Sequence, residues 1–192
     1  MKTKLAALAS VLCSSIALAE PSYDYIQLGY VDVEYDELNP FELGGFEVEA
    51  SVELSPQFFS QFQYRDLDDK VAGVKLDEEQ WKIGLGYFTP LSQKTTWDVM
   101  VNYGELEVGG VNQFGRLRGE NDYVGFETNL RHQLNNKVEM YAGAEWQDWD
   151  LGDTQTGYNL GMMYRANVFT FGVELSKFSD SDEVMGYVRY QF

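Results

Sequence analysis

The feature that most constrains this chain is an alternation of apolar and polar residues at period two, which begins near Ser22 and recurs to Phe192. The stretch from Gly44 to Leu54 shows it plainly. One face carries Phe46, Val48, Ala50, Val52 and Leu54; the other carries Gly45, Glu47, Glu49, Ser51 and Glu53. Successive side chains of a strand point to opposite faces, so a segment of this kind separates two different media. Ten segments repeat the pattern with no helical period between them. The chain therefore has to be all-β, and every strand has to place an apolar face somewhere.

The connections between segments sort by length. Short turns fall at Ser55-Pro56-Gln57, 89–94, 134–137 and Ala166-Asn167, whereas longer acidic connections fall near 36–42, 67–79, 106–121, 148–156 and 179–183. Each apolar face is about as long as a tilted membrane strand of roughly 9–11 residues. Tight turns on one side and long loops on the other are the arrangement of an outer-membrane barrel, with the turns periplasmic and the loops external. Aromatic residues gather at both ends of the apolar faces. Phe46, Tyr64, Trp81, Tyr103, Trp146 and Tyr158 stand on the loop side, and Phe58, Tyr87, Trp97, Tyr164, Phe169, Tyr190 and Phe192 on the turn side. Aromatic rings favour the headgroup level, where an apolar body meets a wet edge. Together these features predict a single up-and-down antiparallel transmembrane β-barrel of ten strands, with eight as the alternative count.

The first twenty residues, "MKTKLAALASVLCSSIALAE", place Lys2 and Lys4 before an apolar run that ends at Ala17-Leu18-Ala19. This is the pattern of a cleaved secretory signal peptide over 1–19, leaving 20–192 as the barrel domain and Cys13 outside the mature chain. A formal charge of −17 argues against nucleic acid as a partner. No stretch after the leader approaches the roughly 18 apolar residues of a spanning helix.

The final strand carries Val188, Tyr190 and Phe192 on one face. This ending resembles the C-terminal signal of bacterial outer-membrane proteins, which the barrel-assembly machinery reads during biogenesis. With the leader and the two girdles, residues 20–192 resemble the small outer-membrane β-barrel family of the OmpX, Ail and OmpA transmembrane-domain type. The resemblance implies a porin-like Gram-negative cell-envelope protein, surrounded by outer-membrane lipid and lipopolysaccharide, monomeric and without a cofactor. It carries over no functional residue, because it is architectural and its usual members have eight strands.

The faces opposite the apolar ones are polar and small, and thirteen charges lie on them. Glu47, Glu49, Glu53, Asp98, Glu127, Glu139, Glu145 and Glu174 are acidic; Arg65, Lys82, Arg131, Arg165 and Arg189 are basic. Hairpin registers counted from the turns set Glu47 opposite Arg65, Arg131 opposite Glu139, and Glu174 opposite Arg189. Directly opposed side chains of antiparallel strands touch. Interior charge pairing accounts for them without a substrate, and the inward glycines leave room for a thin water path.

Catalysis finds little support. Outer-membrane proteases also have ten strands and use His with Asp near the external rim, and lipid-modifying barrels likewise use a His. The one histidine here, His132, precedes the short turn at 134–137 on the side expected to be periplasmic and at a lipid-facing parity. No G-x-S-x-G, H-E-x-x-H or cysteine pattern is present. The acidic loops lack the glycine and spacing of an EF-hand, so no metal site is expected. The expectation is a non-catalytic envelope protein with a structural or surface-interaction role. A narrow cation-preferring channel is the first alternative, and an outer-membrane protease or lipid-modifying enzyme the second.

Overall fold

In the computed structural model, which describes residues 22–113 and 115–192, every strand pairs antiparallel with its neighbours in sequence. The strands are β1 (Tyr25–Tyr35), β2 (Glu42–Ser55), β3 (Phe58–Val71), β4 (Val74–Pro90), β5 (Thr95–Asn112), β6 (Gly115–Gln133), β7 (Val138–Trp149), β8 (Gln155–Ala166), β9 (Phe169–Lys177) and β10 (Ser181–Gln191). The ring is closed by β1 against β10, with Tyr25 opposite Gln191 and Tyr35 opposite Ser181. The barrel is thus up-and-down and ten-stranded, not eight-stranded. Closure leaves no open edge across the lipid-facing span, which a strand in hydrocarbon requires because lipid offers no hydrogen bonds. The 1–19 leader lies outside the described residues.

The outward faces are those marked by the alternation. Ile26, Leu28, Phe46, Ile83, Leu85, Val101, Phe126, Leu160, Phe171 and Val173 are all exposed, forming an apolar belt. In water so large an apolar surface would drive association; in a bilayer it is the contact the chain needs. Rings sit at both margins of the belt and pack in pairs across strands. Trp81 meets Tyr103 at 5.7 Å between centroids on the loop side, and Phe58 meets Tyr87 at 5.3 Å on the turn side. Within the last strand Val188 is half-buried, while Tyr190 and Phe192 are exposed on the outer face. The Tyr190 ring lies 5.6 Å from Phe169, and Phe192 N–H donates to the Asp24 carbonyl at 3.2 Å.

The turn side matches its sequence signals within a residue or so. Asn135 Oδ1 accepts from the backbone N–H groups of Lys137 (2.9 Å) and Val138 (3.0 Å), which closes the 134–137 turn. Asn167 supplies the left-handed residue (φ 57°) of the two-residue link into β9, a conformation that Asn tolerates better than most side chains.

The loop side differs from expectation. Segments 67–79 and 106–121 are not irregular loops but two long hairpins, turning at Ala72-Gly73 and next to Gly115. Alternation continues through them, but its sense inverts just beyond Tyr64, Trp81 and Tyr103. There Asp66, Asp68, Asp77, Glu79, Glu105 and Glu107 take the outer face, while Leu67, Leu76, Leu106 and Val108 take the inner one. The inversion marks where the outside medium changes from lipid to water. A pattern that reverses sign mid-strand has the composition of an acidic loop when averaged.

Candidate functional site

Among the described residues the lumen gathers the buried charges and polar groups, and its floor is built from a residue ahead of the first strand. The Tyr23 side chain leaves the start of β1 and crosses the barrel. Its hydroxyl donates to Asp98 Oδ2 on β5 at 2.9 Å, and its ring faces the Arg131 guanidinium at 5.4 Å on β6, the strand diametrically opposite β1. Phe59 and Phe88 both stack against it, at 4.3 and 4.4 Å, and lie 6.4 Å from each other, and Met100 completes the layer. Tyr23 is 2% exposed. Its segment is pinned to β2 by Tyr23 N–H to Glu53 Oε1 (3.2 Å) and by Glu53 N–H to Asp24 Oδ1 (2.8 Å). Tyr23 continues the inward parity of Tyr25 and Gln27 ahead of the first strand, but parity alone does not show that its side chain crosses the barrel.

Above the floor, the inward glycines do not open a water path. In four directly opposed pairs an aromatic ring lies over a cross-strand glycine: Phe59 on Gly86, Tyr123 on Gly104, Tyr141 on Gly161 and Tyr187 on Gly172. A Cβ at any of these glycines would overlap the ring it faces. The small residue makes room for the large one, and the pair fills the wall. A second interior cluster, Val31, Val33, Leu43, Leu67, Met185 and Tyr187, lines β1, β2, β3 and β10, with Tyr35 and Phe41 packed against it. The lumen is therefore less polar than the sequence reading allowed.

Between these layers lie the charges. Arg65, opposite Glu47, donates to Glu47 Oε2 from Nε (3.2 Å) and Nη2 (2.9 Å), and to both oxygens of Glu183 (2.8 and 3.0 Å). Lys82 pairs with Glu127 at 2.6 Å, and Asn102 Nδ2 donates to the same oxygen at 2.7 Å. Arg131 does meet Glu139, at 2.7 Å, but the two are not opposite. Arg131 faces Tyr141 and Glu139 faces Gln133, so the ion pair is a diagonal one, two residues out of the expected register.

The expected pairing of Glu174 with Arg189 is wrong. β9 runs to Lys177 and β10 starts at Ser181, which sets Glu174 against Met185 and Arg189 against Thr170. Glu174 instead accepts from Tyr141 Oη (2.5 Å) and Ser176 Oγ (3.1 Å). Arg189 donates twice to Gln27 Oε1 (3.0 and 2.8 Å), stacks over Tyr25 at 3.6 Å, and approaches Glu49, which also takes the Tyr25 hydroxyl. Glu78 and Glu183 fall in segments whose sequence has the composition of acidic loops, yet both point inward and are buried, Glu78 accepting from Tyr35 Oη at 2.6 Å.

What remains is a cavity of about 260 Å³ that runs from Tyr23 and Met100 to Phe178, Asp180 and Ser181 at the loop side. Its lining includes nine carboxylates and four basic side chains. His132 is remote from it, exposed on the outer face near the 134–137 turn, where its Nδ1 lies 2.9 Å from Thr95 Oγ1. Among the described residues no three His, Cys, Asp or Glu side chains are placed to hold a metal ion. Arg116 and Arg118 stand on the outer face of the β5–β6 extension beside Asp77, Glu79 and Glu107.

No family model matches the chain, and no curated protein sequence matches it. Solved structures do. The translocator domain of the autotransporter NalP from Neisseria meningitidis matches with a TM-score of 0.54 at 9% identity, covering 91% of each chain. The β domain of the Bordetella autotransporter Brka matches with a TM-score of 0.52 at 11% identity, covering 88% of this chain and 98% of that one. Ail, the attachment invasion locus protein of Yersinia pestis, matches with a TM-score of 0.49 at 10% identity over 88% of this chain and 95% of its own. Identities this low speak to fold alone. The fold is that of the outer-membrane β-barrels.

Proposed function

We propose that the chain is an integral outer-membrane protein without catalytic activity, serving an envelope structural or surface-interaction role, whose lumen opens outward and is closed toward the periplasm. The observation that carries this reading is the Tyr23 floor. A tyrosine stacked against two phenylalanines and hydrogen-bonded across the barrel blocks the axis that a through-channel needs. Ten strands also fall near the size at which side chains fill the interior, about eight, and far from the 16–18 of open porins. On this reading 1–19 is removed on export through the periplasm, and 20–192 forms the barrel. Lipid and lipopolysaccharide surround the belt, and the barrel-assembly machinery engages the Val188, Tyr190 and Phe192 face.

A narrow cation-preferring channel is the competing reading, favoured by the excess of carboxylates in the cavity lining. Planar-bilayer recording separates the two. The blind vessel shows no steady current in the wild type and a small cation-preferring current in Tyr23→Ala. Large steady currents from the wild-type barrel would establish the channel instead. His132→Ala is expected to leave envelope lipids and peptide cleavage unchanged; a hydrolytic activity lost in that variant would restore the enzyme class.

A further inference from the structure

Three carboxylates in the loop-side half of the lumen make no direct ion pair among the described residues; Arg65 and Lys82 act on Glu78 and Glu145 only through space, being bonded to Glu47, Glu183 and Glu127. Glu78 on β4 is 4% exposed, accepts only the Tyr35 hydroxyl through Oε2, and has no partner for Oε1 among the described residues. Glu145 on β7 receives only the Gln147 amide, at 2.7 Å. Glu174 on β9 receives only hydroxyls. All three line the 260 Å³ cavity, whose four basic residues are engaged elsewhere: Arg65 with Glu47 and Glu183, Lys82 with Glu127, Arg131 with Glu139, and Arg189 with Gln27 and Glu49. A buried carboxylate keeps its charge only if something compensates it.

We infer that the loop-side half of the lumen is a binding site for a linear aliphatic polyamine, a chain of ammonium groups separated by methylenes. The choice among cations follows from the layout. A single metal ion needs several oxygens converging within about 2.6 Å, whereas these carboxylates stand on three separate sectors of the wall, and no metal-holding group of side chains is formed among the described residues. An extended polycation can address each carboxylate with its own ammonium. Its methylenes then lie against Tyr35, Leu106, Tyr141, Trp149 and Phe178, which line the same space, and aromatic faces attract ammonium groups. The negative field of the lining and of the acidic extensions concentrates such ligands at the mouth. This inference rests on the outward-open lumen proposed above.

Its test is isothermal titration of the refolded full-length barrel in lipid vesicles with spermidine as the probe, at fixed ionic strength. Saturable 1:1 binding is expected. Glu78→Gln and Glu145→Gln should each weaken it about tenfold, since each removes one charge-assisted contact. Butylamine or calcium at equal charge concentration should fail to displace spermidine. Variant folding is verified by heat-modifiable migration, so a loss of binding is not a loss of barrel. The inference is overturned by non-saturable uptake, or by unchanged affinity in a Glu78→Gln/Glu145→Gln/Glu174→Gln barrel. Displacement by calcium, or by a long oligolysine too bulky for the cavity, would overturn it equally, because either places the contact on the external surface. A conducting wild-type barrel that still binds spermidine with these variant effects would refute the closed floor and leave the site intact.

Discussion

Replacing Arg65 with Met removes the guanidinium that holds Glu47 and Glu183 together while keeping most of the side-chain volume. The arginine makes four hydrogen bonds to the two carboxylates at 2.8–3.2 Å. Side-chain exposure is 13% for Arg65, 3% for Glu47 and 8% for Glu183, so water does little to compensate their loss. Breaking a buried ion pair by removing one partner costs about 3–5 kcal/mol; here one deletion leaves two carboxylates facing each other. The expected loss is at least about 3 kcal/mol, or roughly a hundredfold in the folding equilibrium. The triple replacement Arg65→Met/Glu47→Gln/Glu183→Gln removes the stranded charges as well and should recover most of that loss, since a neutral set can substitute for a buried ionic one. Urea unfolding in lipid vesicles, followed by tryptophan fluorescence and by heat-modifiable migration, gives both numbers through linear extrapolation. A loss below about 1 kcal/mol in the single variant, the scale of an exposed surface pair, would refute the view that this triad is a buried element. So would a triple variant weaker than the single one.

Two further outcomes follow from the walls and the topology. Gly172→Val should push the Tyr187 ring out of its seat and loosen its 3.2 Å contact with Tyr141, costing about 1–3 kcal/mol by overpacking; wild-type urea midpoints for this variant would show that the ring-on-glycine fit is incidental. Cysteines placed at Asp69, Gln113 or Asp182 should react with an impermeant thiol reagent on intact cells while one at Asn135 should not, and comparable labelling at Asn135 would reverse the inside–outside assignment.

How far the sequence could be read depended on which quantity was asked of it. Strand existence, face parity, the short turns and the aromatic margins were all legible, because alternation reports parity directly. Register was not. The pairing of Arg131 was displaced by two residues and that of Arg189 by four, and a slip by an even number keeps every side chain on its correct face. The hydrophobic pattern penalises only odd slips; even ones are decided by turn geometry and by fits such as Tyr187 on Gly172. Glu78 was hidden for another reason. It lies beyond the level where the outer face becomes charged, so an inward carboxylate there has acidic neighbours on both sides and looks like part of a loop. Tyr23 shares the inward parity of β1, but parity names no partner, and only the folded ring brings it to Asp98 and Arg131.

The seam between β1 and β10 governs how this object can come into being. Every other strand pair joins neighbours in sequence, so nine hairpins form from local chain, whereas the seam joins residues 25–35 to residues 181–191. Until those eleven pairs zip, the structure is an open curved sheet with two raw borders, and in hydrocarbon each unsatisfied backbone group along them costs several kcal/mol. A sheet with nine of its ten pairings is therefore a state of high free energy in lipid rather than a stable way-station. Insertion and closure have to be nearly simultaneous, and the rate at which the barrel appears in a membrane is set by the search of the last strand for the first.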